Sequence, residues 1–115
     1  MADTYKRLGA EEIDGSGNAV TTNIELYVVG GGTETIVSSI NICNRSANVG
    51  TIRVAHIDGA LGDIADEDYI IYDETIEAKG HITIQLGISM EAADTLLCRS
   101  DIVDINFIAW GLEKT

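Results

Sequence analysis

The sequence predicts an all-β protein: a single antiparallel β-sandwich of seven or eight short strands, preceded by an N-terminal arm. Three observations predict it. Strand-length runs rich in Ile, Val, Leu and Thr recur at short intervals from Asn23 onward, several alternating apolar with polar residues. Turn-forming clusters separate these runs, and no apolar pattern of helical length lies between them. The hydrophobic set is mostly aliphatic, with aromatic residues only 5% of the chain. Stiff β-branched side chains suit a pleated, half-buried surface.

Taken in order, residues 1–22 are mixed and polar, with Thr4–Leu8 a short strand or part of an arm, and Asp14-Gly15-Ser16-Gly17-Asn18 a loop. Residues 23–115 form the sandwich domain. Asn23–Val29 is its first strand, stopped by Gly30-Gly31-Gly32, because three glycines favour a turn with positive φ. Thr35–Cys43 alternates, which places Ile36, Ser38, Ile40 and Ile42 on one face and Val37, Ser39, Asn41 and Cys43 on the other. An Asn/Ser/Gly-rich turn over 44–50 leads to Thr51–Ile57, with Ile52 and Val54 opposite Arg53 and Ala55. After an acidic loop over 58–68, Tyr69–Ile76 resumes the sheet and Glu77-Ala78-Lys79-Gly80 turns it. His81–Leu86 points Ile82, Ile84 and Leu86 inward. Glu91-Ala92-Ala93-Asp94 is a tight turn, and Thr95–Arg99 and Ile105–Leu112 complete the set, with Phe107 and Ala109 opposite Ile108, Trp110 and Leu112. The arrangement expected of these seven or eight strands is jelly-roll-like.

The 115 residues suffice for one domain with its own core. Nineteen acidic against seven basic residues give a net charge of −12, so a nucleic-acid backbone is an unfavourable partner. An acidic surface favours solubility and docking onto a basic partner. The chain begins without an apolar leader and holds no membrane-spanning stretch, so synthesis in a cytoplasm and no membrane partner are expected. Proline is absent, which leaves sheet edges without a common blocker, to be covered by loops, charges or a second subunit.

Chemistry-bearing residues are sparse. Cys43 and Cys98 have no metal-site or redox spacing and read as small buried hydrophobes; a disulfide between them requires their strands to approach closely. Asp58, Asp63, Asp66, Glu67 and Asp68 match no calcium-loop spacing, and Asp14, Ser16 and Asn18 lack the closing glutamate. His56 and His81 lie on separate strands with no nucleophile motif, and read as structural. The glycines at 30–32 lack the Lys-Ser/Thr pair of a phosphate loop. Asn44-Arg45-Ser46 spells a glycosylation sequon but reads as a turn. Tyr69 and Tyr72 suit either core packing or a sheet-edge interface. No catalytic residue, cofactor or metal is expected, and the chain is not expected to be an enzyme.

Several segments carry a family resemblance: Thr4-Tyr5-Lys6-Arg7-Leu8-Gly9, Leu26-Tyr27-Val28-Val29, the run from Ile36 to Ser46, Arg53-Val54-Ala55, the run from Asp68 to Asp73, Leu86-Gly87-Ile88, and the ending from Ile105 to Glu113. With these the chain resembles small β-sandwich virion proteins of tailed bacteriophages. The resemblance implies a capsid decoration or cement protein that binds the outer capsid surface and stabilises capsomer contacts. The alternative placement is a neck, tail or baseplate component, including a carbohydrate- or receptor-binding module. It further implies a virion location, the major capsid protein or other virion proteins as partners, and a homo-oligomer, dimer or trimer. The 58–68 connection departs from the family by being more acidic. The expected partner-facing residues are Tyr5, Lys6, Arg7 and Leu8 of the first segment, Arg45 of the turn over 44–50, and Asp63, Asp66 and Asp68 of the acidic loop.

Overall fold

A computed structural model describes residues 3–115. Eight strands form two four-stranded antiparallel sheets: β1 (Asp3–Ile13), β2 (Ile24–Val28), β3 (Glu34–Asn44), β4 (Gly50–Ile57), β5 (Tyr69–Ile76), β6 (His81–Met90), β7 (Thr95–Ser100) and β8 (Ile105–Lys114). The first sheet runs β1-β8-β3-β6 and the second β2-β7-β4-β5. All connections except β4 to β5 pass from one sheet to the other, which is the strand order of a jelly roll. Among the described residues no helix is long and apolar enough to cross a membrane.

The first segment is more than an arm. Asp3–Ile13 is an eleven-residue edge strand, paired to β8 from Asp3–Lys114 to Ile13–Ile105. Its polar composition reflects that edge position, because little of an edge strand's surface is buried by neighbours. Met1 and Ala2 lie outside the described residues.

The core lies between the sheets. Ile40, Ile42, Ile105, Phe107 and Ala109 from the first sheet meet Ile52, Val54, Leu96 and Cys98 from the second, all fully buried. Phe107 and Ala109 face inward opposite Trp110, as the alternation of β8 predicts, and Ile82, Ile84 and Leu86 pack against the core from β6. The assignment within β3 needs correction. A β-bulge between Val37 and Ser39 shifts the register against both β6 and β8. Before it Val37 is buried and Ile36 is 40% exposed; after it Ile40 and Ile42 are buried. One extra residue switches which parity faces the core. Glycines accommodate two close approaches near such bulges. A Cβ on Gly111 would lie 2.2 Å from the Ile36 carbonyl oxygen, and one on Gly9 would lie 2.1 Å from that of Leu26.

A smaller cluster lies on the outer face of the second sheet, where Ala55, Ile57 and Leu97 are covered by Leu61, Ile64 and Tyr69. The acidic loop is therefore folded. Its short 3-10 turns, Leu61–Asp63 and Asp66–Asp68, turn apolar residues inward, and its carboxylates close the turns: Asp63 accepts from the Ala60 N–H at 3.1 Å and Asp68 from that of Ala65 at 2.9 Å.

Four connections meet at one end of the sandwich. Asn44 N–H bonds the Gly80 carbonyl at 2.9 Å, Arg45 N–H that of Asp104 at 2.9 Å, Lys79 N–H that of Ser46 at 3.1 Å, and Asp104 N–H that of Ile13 at 2.7 Å. At the hub is the Asn44 side chain, 1% exposed, which donates to the carbonyls of Asn48 and Glu77 and accepts from the Ser46 N–H and hydroxyl. The sequon letter is a buried structural asparagine. Cys98 lies in the core and Cys43 on the outer face of the other sheet; both are free thiols, and burial pushes the Cys98 thiol up.

Candidate interaction surface

The outer face of the β1-β8-β3-β6 sheet follows directly from its register. Five ranks cross it: Asp3, Lys114, Glu34; then Tyr5, Leu112, Ile36, Ser89; then Arg7, Trp110, Ser39, Gln85; then Ala10, Ile108, Asn41, Thr83; and finally Glu12, Asn106, Cys43, His81. The three central ranks hold no carboxylate and a single charge, Arg7, in a chain with 19 acidic residues. Three of the chain's exposed large hydrophobic side chains stand there: Tyr5 at 63%, Ile36 at 40% and Trp110 at 39%. Three ranks of four strands span about 400 Å² at ordinary strand and residue spacings. Half of the twelve positions are apolar, Tyr5, Ala10, Ile36, Ile108, Trp110 and Leu112, and half polar, so the face is a mixed surface with an aromatic and aliphatic centre.

Local geometry fixes these side chains. The Tyr5 hydroxyl hydrogen-bonds the Ser38 hydroxyl at 2.7 Å, and Ser38 donates to the Trp110 carbonyl at 3.2 Å. The bulge thus does two things: it turns Ile36 outward and supplies the serine that holds Tyr5 across β8.

The structure separates the eight sequence-predicted residues. Tyr5 and Arg7 lie on this face. Lys6 points the other way, forming an ion pair with Glu113 at 3.3 Å, and Leu8, at the β1 bulge, packs against the core. Arg45 sits at the loop end, pairing with Glu12 and, at 3.4 Å, with Asp104, while its Nε donates to Asn106 at 3.2 Å. Asp63, Asp66 and Asp68 belong to the loop over the second sheet, and two of them close its turns. Ile36, Ile108, Trp110 and Leu112 were absent from the expected set. The shared face of the last three was readable from β8; the outward turn of Ile36 was not, because the Ser38-Ser39 pair alone does not announce a bulge.

Away from this face two carboxylates are held by hydrogen bonds, Glu113 partly buried and Asp94 buried. The Tyr27 hydroxyl donates to Glu113 at 2.5 Å and accepts from Thr35 at 2.8 Å. Burial, then Glu113, pushes the Tyr27 phenol up to about 12, and the Tyr27 and Lys6 contacts hold Glu113 below its usual 4.5 against desolvation. Asp94 accepts from the Glu91 N–H at 3.0 Å and pairs with His56 at 2.9 Å. Burial raises its carboxyl, but the His56 and Glu91 contacts outweigh this and hold it below 3.8. Depressed folded-state values mean the stabilisation is full above the unfolded values and is lost as pH falls through the folded ones. Thermal stability should therefore decline as pH drops below about 4.5. The paired variant Asp94→Asn with Glu113→Gln should flatten that slope; a slope equal to the wild type's would show that these contacts do not set it.

Among the described residues, no three His, Cys, Asp or Glu side chains group to hold a metal ion. No protein-family model matches the chain, and no curated protein matches it.

Proposed function

We propose that this chain is a structural, non-catalytic protein of a virus particle, a decoration or cement subunit that docks on the outer capsid surface through the carboxylate-free centre of the outer face of its β1-β8-β3-β6 sheet. The observation that carries the reading is that face: Tyr5, Ile36 and Trp110 exposed together, with acidic groups confined to its two outer ranks. A contact centred on such a clearing forms without burying unpaired carboxylates, whose desolvation would oppose docking. The family resemblance supplies the particle as the partner. The size of the face supports a repeated lattice over an isolated pair. About 400 Å² is half of what each partner buries in a standard stable interface. Contacts of that size hold when many copies engage one surface or when each copy touches several neighbours.

The test is quantitative mass spectrometry of gradient-purified particles together with a double variant, Tyr5→Glu with Ile36→Glu. Wild-type protein should be present in many copies per particle. The variant places two carboxylates in one rank of the face and should lower occupancy by about tenfold or more, since two such losses at a packed contact exceed 1.4 kcal/mol. Its folding should persist, because both positions are substantially exposed. Wild-type protein recovered only outside particles overturns the proposal, as does full occupancy by the variant.

A further inference from the structure

The second sheet presents a different kind of surface. Arg53 on β4 and Arg99 on β7 are direct cross-strand partners, so two of the chain's seven basic residues share one face side by side. Like charges opposed in this way destabilise a sheet unless something balances them. Arg53 is balanced. Its Nε and Nη2 grip both oxygens of Asp73 at 2.6 and 3.1 Å, and its guanidinium lies over the Tyr72 ring at 4.0 Å. Asp73 reaches this position through a left-handed backbone conformation, φ 53°. Arg99 is different. Half-buried, it donates from Nη1 to Asn23 Oδ1 at 3.3 Å; its charge helps hold the Asp73 carboxyl down from a distance, but among the described residues it makes no direct carboxylate ion pair.

Both guanidiniums line a pocket of about 200 Å³ with Thr21, Thr51, Asp73, Ser100 and Asp101, Asp73 being held by Arg53. Most of its other polar groups are already engaged. Ser100 bonds within its own turn to Ile102, Thr21 donates to Val20, and Asp101 accepts from the Thr51 N–H at 2.7 Å. What remains open is a donor set: Nε and Nη2 of Arg99, beside the Thr51 hydroxyl. A guanidinium has no acceptor, and its fork matches the two oxygens of a carboxylate, sulfate or phosphate group.

We propose that this pocket binds a single oxyanion group, with Arg99 as its principal ligand and Thr51 as a second donor. The bound anion gives Arg99 the direct, hydrogen-bonded counter-charge that Arg53 already has in Asp73, which reaches Arg99 only through space. The pocket is smaller than the roughly 300 Å³ at which drug-sized sites begin, so it suits a free inorganic anion or the acidic group of one sugar unit. The site lies on the opposite sheet from the proposed docking face and stands independently of it.

Amide and arginine Nε–Hε NMR spectra, recorded at constant ionic strength, test this with three probes: inorganic phosphate, glucuronate and glucose. Phosphate or glucuronate should produce saturable shifts at Arg99 Hε and at the Thr51 and Asp101 amides, and glucose none. Saturation by glucuronate at lower concentration than phosphate identifies an acidic sugar as the source; the reverse order identifies a free inorganic anion. Arg99→Gln should weaken binding about tenfold or more, as expected for a hydrogen bond to a charged group. Thr51→Val should weaken it less, with the guanidinium retained. Arg7→Gln, on the other sheet, should leave it unchanged. Without ligand, Arg99→Gln should melt close to the wild-type temperature, because relief of the opposed charge offsets the lost attraction to Asp73 and the lost bond to Asn23. Absence of saturable shifts overturns the proposal. So do equal shifts from glucose, unchanged affinity in Arg99→Gln, or a large fall in the melting temperature of that variant.

Discussion

Phe107→Ala should be among the most destabilising single changes, costing about 3–5 kcal/mol by the usual yield of buried Phe truncations. Phe107 is the only phenylalanine, fully buried on β8 between Glu11 of β1 and Ile42 of β3 in register. Its ring projects between the sheets, so its loss leaves a cavity that neither backbone can close without shifting a whole ladder of hydrogen bonds. For a domain of this size each kcal/mol corresponds to about 4 °C in melting temperature, so a fall of about 12–20 °C is expected. Urea unfolding checks it independently: the midpoint should fall with little change in slope. A loss below about 1 kcal/mol would be inconsistent with a close-packed core at this position.

Asn44→Ala should cost about 2–4 kcal/mol, nearly as much although the residue is polar. Its side chain is the hub of the loop end, holding the carbonyls of Asn48 and Glu77 and the amide and hydroxyl of Ser46. Removing it leaves buried polar groups without partners while shortening the side chain, and an unmade buried hydrogen bond costs more than a made one contributes. Hydrogen exchange should localise the effect. The amides of Ser46, Lys79 and Gly80 should lose protection, whereas the amides of Val29 and Ala93, at the other end, should keep theirs. Uniform loss of protection would show that the loop end does not open as its own unit. Asn44→Asp should be destabilising too, because a carboxylate cannot donate to the carbonyls.

Much of the fold was legible from local pattern. Tyr69–Ile76 has the predicted bounds, and the inward faces of β4, β6 and β8 are those that strict alternation gives. Period-two patterning is a property of neighbouring residues, so the sequence carries it directly. Where alternation failed, a bulge intervened. In β3, Ile36 and Ile40 look equivalent along the chain, but one extra residue between Val37 and Ser39 sends the first to solvent and the second to the core. The 58–68 loop shows a second limit. Its five carboxylates dominated the sequence reading, whereas Leu61 and Ile64, which hold it to the sheet, were inconspicuous.

The two surfaces differ in the same way. Tyr5 and Arg7 are recognisable as members of a polar, aromatic first segment, and Trp110 as a residue opposite Phe107. The composition of a sheet face is nonetheless a sum over strands far apart in sequence: Tyr5, Ile36 and Trp110 share it only because β8 pairs with both β1 and β3. Likewise Arg53 and Arg99 are unremarkable in isolation, and become an opposed pair only when β4 meets β7.

From sequence alone, then, come the class of the fold, the places of most strands and the side of each that is apolar, because all three depend on residues a few positions apart. The tertiary structure alone decided the order of strands in each sheet, the bulge that reverses β3, the burial of Asn44 and the grouping of side chains into faces. These depend on pairings between strands tens of residues apart, where the extra residue of a bulge or the choice of neighbouring strand leaves no periodic trace in the chain.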